Sequence, residues 1–372
     1  MGSRLAGSSL LVALGFLGAA DVRGQLQARG NWTNLGSNGR AITAIAVSPG
    51  SPRTIYVATA VPGGVDPGVY RSDDGGVSWS AIAAGLPEGL AGSLISFFPL
   101  AVDPASPKTA YIGWRMTFLP PFSQLSRTNL YRTLDGGSSW LPLPVEGGYA
   151  LTIDPSSPAT LYLAAPIGIR RSNDRGESWR GPFGPSDARD LALDPSNSST
   201  IFAASWDSGV FQSADGGISW TAIGNGLEQD GGRGISANSI AIDPNDPRIL
   251  YVAAGPRPTP TTRVLYKTAD SGATWMRVVG QPAGDVLQVR IAGGSPTAVY
   301  CLERTENGNQ LYRSLDQGAG WTNITANLPP PTLVEVSPGE PATVYAGTDS
   351  AGLFTRTFLA RTESPRTVPF RR

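Results

Sequence analysis

A carboxylate stands six times in one frame, Ser/Thr-x-Asp-x-Gly-x-x-Trp, at Asp74, Asp135, Asp174, Asp215, Asp270 and Asp316. Acid groups beside hydroxyls could hold a cation or exchange protons with a substrate. The repetition argues for a structural role, because six sites set apart along a repeating chain cannot converge on one ligand. A short carboxylate can instead accept backbone N–H groups one or two residues on and fold the loop locally. Gly76, Gly137, Gly176, Gly217, Gly272 and Gly318 then take the positive-φ position that a β-carbon disfavours. Trp79, Trp140, Trp179, Trp220, Trp275 and Trp321 pack back over the turn as large apolar plugs.

Several chemistries are excluded by composition. The chain has no histidine, so imidazole base catalysis, a Ser-His-Asp triad and any histidine-ligated metal are absent. Cys301 is the sole cysteine, so there is no internal disulfide or thiolate cluster, and its apolar run Ala298-Val299-Tyr300-Cys301-Leu302 predicts a buried thiol. Lysine plus arginine equals aspartate plus glutamate at 29 each, which offers nothing to nucleic acid. No cofactor and no metal are expected.

The acid motifs must be positioned by something that repeats. Upstream of each stands a second phrase, clearest at Leu100-Ala101-Val102-Asp103-Pro104 followed by Thr109 to Gly113. Each unit reads as strand A, Asp-Pro turn, strand B, a variable connection, strand C, the acid motif and strand D. Period-two alternation such as Gly68-Val69-Tyr70-Arg71-Ser72 marks strands, and four antiparallel strands per repeat predict an all-β propeller blade. The last unit, from Val334 to Thr357, lacks the acid motif, while Asn31-Trp32-Thr33-Asn34-Leu35 matches Gly320-Trp321-Thr322-Asn323-Ile324. The N-terminal strand therefore completes the last of seven blades and closes the ring. Residues 1–24 read as a cleaved signal peptide with an apolar run Leu10–Ala20, residues 25–357 as the propeller and residues 358–372 as a disordered tail. A secreted or periplasmic protein, monomeric and without a transmembrane segment after cleavage, is expected.

The acid frame resembles the Asp-box, or BNR, repeat, and the chain resembles Asp-box propellers over residues 31–357: sialidases, xyloglucanase-type glycosidases, sortilin-type receptors and photosystem II assembly factors. The resemblance implies the fold and leaves several functions open. A sialidase would require an arginine cluster, a Tyr nucleophile and an acidic partner, for which Arg40, Tyr149, Asp187 and Arg189 are candidates. Its Phe/Tyr-Arg-Ile-Pro opening is missing, since Arg40 stands in Asn38-Gly39-Arg40-Ala41-Ile42. A xyloglucanase would pair two carboxylates across a cleft between two propellers, and this chain holds one. An assembly factor would work as a scaffold through protein contacts.

Strand order puts the A–B turns and acid motifs on one face and the variable connections on the other. Divergent loops mark the binding face. Long inserts there run over 83–99, 115–128, 224–238 and 256–263, and the candidate binding residues are Trp114, Arg115, Tyr149, Arg189, Trp206, Asp207 and Arg233. The aromatic side chains Phe97, Phe98, Phe118 and Phe122 lie in the same inserts and read as loop packing. In the innermost strands, the position of Ala46 and Ala101 becomes Arg290 and Glu335 in the last two units, which predicts an ion pair. The function expected from these residues is a secreted, non-catalytic binder of glycan or extracytoplasmic protein, with a glycoside hydrolase and an assembly scaffold as alternatives.

Overall fold

The computed structural model describes residues 31–358, apart from residues 38, 50, 52, 61–67, 88–92, 119–125, 228–233, 257–261 and 338–340. The signal peptide, nearly all of the expected tail, and Arg233 and Phe122 lie outside the described residues, as does the side chain of Phe118. Phe358, where the tail was expected to begin, ends a strand.

Seven four-stranded antiparallel sheets form the blades of a propeller. Six are built from consecutive strands. The seventh joins Pro331–Val336, Ala342–Thr348 and Leu353–Phe358 to the N-terminal strand Thr33–Gly36, as the sequence predicts. Trp32 stands at the start of that strand, and its indole N–H donates to the Ile324 carbonyl of blade 6 at 2.7 Å.

One register position shows why the blades pack. Ala46, Ala101, Thr152, Ala192, Ala241, Arg290 and Glu335 of strand A lie opposite Tyr56, Tyr111, Tyr162, Phe202, Tyr251, Tyr300 and Tyr345 of strand B. All seven rings are buried. Each fills space between neighbouring sheets, and burial of such a ring contributes about 2–3 kcal/mol. Three of the hydroxyls also bind the next blade, with Tyr56 donating to Pro107 O at 2.8 Å, Tyr111 to Arg175 O at 3.4 Å and Tyr251 to Gln317 O at 2.9 Å. Cys301 is fully buried, and burial pushes its thiol far above the ordinary range.

The acid motifs reproduce one network. The Ser72 hydroxyl donates to Asp74 Oδ1 at 2.8 Å and accepts the Gly76 N–H at 2.7 Å. Asp74 in turn accepts the Ser78 N–H at 2.9 Å and the Ser78 hydroxyl at 2.6 Å. The carboxylate thus reaches four residues ahead, further than the one or two expected. In the sixth copy Gly320 keeps the backbone bond, at 2.8 Å, and has no hydroxyl to give the other. The glycines adopt positive φ as predicted, Gly137 at 93° and Gly272 at 89°. The tryptophans also tie blades together, since the Trp140 and Trp275 indoles donate to Ile82 O and Ile223 O of the preceding blade, both at 2.6 Å.

On the opposite face the inserts differ from expectation. Parts of the 83–99 and 115–128 segments are strand: blade 2 has strands of ten, nine and eight residues, where blade 3 has four, five and five. Apolar residues such as Phe97, Trp114 and Met116 extend the sheet by burying one of its faces against blade 1. In six blades strand A also slips by one residue near this end, at Ile42/Ala44, Phe97/Leu100, Ala188/Asp190, Ala237/Ser239, Val286/Gln288 and Pro331/Leu333. Such bulges re-aim side chains. Thr43 and Asn238 at two of them donate to Phe97 O and Leu287 O of the next blade. Arg189 sits at a third.

Candidate functional site

The innermost strands of all seven blades line an axial cavity of about 610 Å³. Its charged lining consists of Arg189, Asp190, Arg290 and Glu335. Arg290 binds Glu335 at 3.4 Å, the pair foreseen from the sequence, and also binds Asp190 at 3.4 Å. Asp190 further accepts from the Ser239 hydroxyl at 3.0 Å and from the Ile240 and Leu191 N–H groups at 3.2 and 3.0 Å. Burial alone would lower the Arg290 pKa, but the charges of Asp190 and Glu335 outweigh it and the net shift is upward. The guanidinium is a fixed positive charge between two carboxylates, and about a quarter of its side chain (26%) stays accessible.

Around the mouth of the cavity, rings and guanidinium groups alternate. Arg115 lies over Phe98 at 5.0 Å and over Tyr149 at 5.4 Å. Arg189 stacks on Tyr149 at 4.0 Å and faces Trp206 at 5.5 Å, and Arg263 faces Trp206 from 5.2 Å. Carboxylates fix two of the three arginines: Asp187 holds Arg189 at 2.9 Å and Asp285 holds Arg263 at 2.5 Å. Rings and cations locked together in this way form a rigid rim of aromatic surface and hydrogen-bond donors at the mouth.

The ladder ends in two unlike acids. Burial raises the Asp285 pKa, but the bonds and charge of Arg263 reverse the effect and the net shift is downward. Glu303 beside it is fully buried, with Oε1 accepting the Gly284 N–H and Oε2 unpartnered. Burial and the nearby Asp285 charge raise its pKa against the Gly284 hydrogen bond, so its proton is retained longer.

The structure brings Arg115, Tyr149, Arg189 and Trp206 together, and Asp187 joins them through Arg189. Asp207 is exposed in the turn beside Trp206. Arg40 does not line the axial cavity. Trp114 is only 6% exposed and belongs to the core with Phe97 and Met116, so it has little surface to offer a ligand. Sequence reasoning missed Asp190, Arg263, Asp285 and Glu303. Asp190 departs from Ala44 and Ala150 at the matching level of blades 1 and 3, the same kind of signal that exposed Arg290. Arg263 and Asp285 belong to different blades and carry no local signal.

No family model matches the chain. An oligoxyloglucan-reducing end-specific xyloglucanase of Emericella nidulans is 27% identical over 246 residues, 52% of this chain and 29% of that protein. A xyloglucanase of a Paenibacillus species is 27% identical over 251 residues, 52% of this chain and 24% of that one. The chain thus spans less than a third of either relative's length. Among solved structures, the GH74 xyloglucanase of Xanthomonas campestris superposes with a TM-score of 0.63 at 20% identity, over 87% of this chain and 53% of that one. YCF48 bound to D1 peptide superposes with a TM-score of 0.59 at 14% identity, over 89% of this chain and 97% of that one. At such identities these likenesses speak to the propeller fold. The xyloglucanase relatives overturn the expectation of a non-catalytic binder; a photosystem II stability/assembly factor of Arabidopsis thaliana is also similar, 24% identical over 218 residues, 56% of this chain and 48% of that protein.

Proposed function

We propose that the propeller is the carbohydrate-contacting half of a glycoside hydrolase acting on β-glucan chains of the xyloglucan kind. The observation that carries this reading is the ladder of Phe98, Tyr149 and Trp206 with Arg115, Arg189 and Arg263 at the mouth of the axial cavity. The sugar chain lies along the rim formed by Tyr149 and Trp206, where the arginines between the rings donate hydrogen bonds to its hydroxyls. Hydrolysis of a glycosidic bond requires one carboxyl group that donates a proton and one carboxylate that acts as base or nucleophile. Asp190 and Glu335 are the carboxylates lining the cavity among the described residues, and each faces Arg290 and N–H or O–H donors. Those neighbours suit an acceptor. Asp190 or Glu335 therefore serves as the base, and the proton donor comes from a second wall facing this one, as in the two-propeller arrangement that the resemblance implies.

The six acid motifs are of the Asp-box class and stand away from the substrate. A polymeric plant-type glucan is met outside the cytoplasm, which agrees with reading residues 1–24 as a secretion signal. Among the described residues no helix is long and apolar enough to cross a membrane. The test runs the full chain in a xyloglucan-containing native gel and reads its retardation. Retardation that Trp206→Ala weakens is the expected result. A chain that is not retarded rules the reading out.

A further inference from the structure

A second groove, of about 710 Å³, opens beside the ladder between blades 2 and 3. Arg115, Arg127 and Arg170 line it together with Thr128, Asn129 and Glu146. Strand alternation sends the side chains of Arg115 and Arg170 toward each other. Arg115 lies opposite Thr128, next to Leu130, whose side chain packs in the cluster shared with blade 3. Arg170 lies opposite Leu163 of that same cluster, on the blade 2 side of its sheet.

What is particular to this groove is that three arginines without a carboxylate partner among the described residues line it together. Arg71, Arg132, Arg189, Arg248, Arg263 and Arg290 each hold a carboxylate within 4 Å. Among the described residues, Arg115, Arg127 and Arg170 have none. In a chain whose acidic and basic residues balance at 29 each, three unpaired guanidinium groups on one groove are a local excess of positive charge. Arg115 belongs to both features, since its guanidinium also covers Phe98 and Tyr149.

We infer that this groove is a subsite for a carboxylate-bearing sugar, a uronic acid carried as a branch or neighbouring unit of the bound glycan. The inference rests on the glycan-binding reading above and narrows its substrate class from neutral to acidic. A uronic acid unit held in the groove meets Arg115, Arg127 and Arg170, which line it. The guanidinium fork matches a carboxylate through two parallel hydrogen bonds, which a neutral hydroxymethyl group at the same carbon cannot replace. Thr128 and Asn129 supply the remaining hydroxyl partners, and Glu146 at the rim disfavours a second negative charge there.

The experiment compares two probes on the intact chain by calorimetry at low salt: a neutral xyloglucan oligosaccharide, and the same oligosaccharide with its branch galactose oxidised to galacturonate. The expected result is about tenfold tighter binding of the acidic probe, with the advantage shrinking as salt rises. Arg170→Gln should cut the acidic-to-neutral affinity ratio to about threefold or less, and Arg170→Lys should restore part of it. Thermal melts of each variant show that the ring is intact. Equal affinity for both probes overturns the acidic subsite while leaving the glycan reading in place, whereas binding of neither probe removes that reading itself. An oligoglutamate peptide that binds more tightly than the acidic sugar also overturns the inference, by assigning the groove to a protein.

Discussion

The two faces of the ring are made by the same strands and follow opposite rules. On the acid-motif face six loops repeat one set of hydrogen bonds, from Ser72–Asp74–Ser78 to Ser314–Asp316–Gly320. On the other face the blades diverge: blade 2 extends its strands, blade 3 keeps them minimal, and charges reach across blades. Each loop of the first face is folded by contacts two to four residues apart, and bonds from Trp and Tyr side chains join several of them to the adjoining blade. The second is held by pairs such as Arg263–Asp285 and Arg290–Asp190, which lie 22 and 100 residues apart. A repeat can thus standardise one end of every blade while the other end remains free to form a site.

The sharpest way to break this contrast is at the seam, where the uniform face depends on a strand from the far end of the chain. Deleting residues 25–36 removes the outer strand of blade 7 and the Trp32 anchor, and should lower the melting temperature more than any point change. A melt unchanged by the deletion would contradict ring closure. Trp32→Ala alone, at an 8% exposed site with a buried hydrogen bond, should cost about 3–5 kcal/mol in urea unfolding. A smaller effect separates the faces directly. At Gly137 (φ 93°) an added β-carbon would meet Ile82 side-chain atoms at 2.6 Å, while at Gly39 (φ 85°), on the loop-bearing side, it meets nothing within 4 Å. Gly137→Ala should therefore cost about 2–3 kcal/mol and Gly39→Ala about 1 kcal/mol. Equal losses at both would show that backbone strain alone accounts for the glycines.

The same contrast explains what could be read from the chain. Blade count, ring closure and the positive-φ glycines follow from local signals that recur, so they were legible. Arg290 and Glu335 were legible because they interrupt a repeated position. Asp190 interrupts the matching position of a neighbouring level and was passed over. The strands of blade 2 were hidden because Phe97, Phe98, Trp114 and Phe118 read equally well as loop aromatics, and only packing against Ala44 and Tyr56 of blade 1 makes Phe97 and Trp114 core. The ladder was visible as residue types but not as an order, since Tyr149, Arg189, Trp206 and Arg263 come from different blades.

The smallest effect is the most diagnostic, because Glu303 on the loop-bearing face should respond to pH with the sign opposite to that of the acid motifs. Bonds from Ser139 and Thr133 hold the Asp135 carboxyl down at about 2, and bonds from Thr268 and Thr274 do the same for Asp270. These folded-state values lie below the ordinary 3.8, so their contribution to stability is complete above that pH and fades as pH falls through about 2. Glu303 is the reverse case. Burial raises its pKa from 4.5, so the folded state keeps the proton longer than the unfolded chain. Its contribution is complete below 4.5 and is lost as pH rises through the higher folded value. Glu303→Gln keeps the shape, removes the titration and should abolish that loss. Melting temperatures from pH 4 to 8 should therefore fall in the parent relative to Glu303→Gln, while Asp135→Asn should run parallel to the parent over this range and differ only in level. Parallel profiles for parent and Glu303→Gln would mean that Glu303 is ionised in the fold, with Oε2 held by a partner the described residues do not supply. The contrast between the satisfied carboxylates of the acid motifs and the poised Glu303 would then fail.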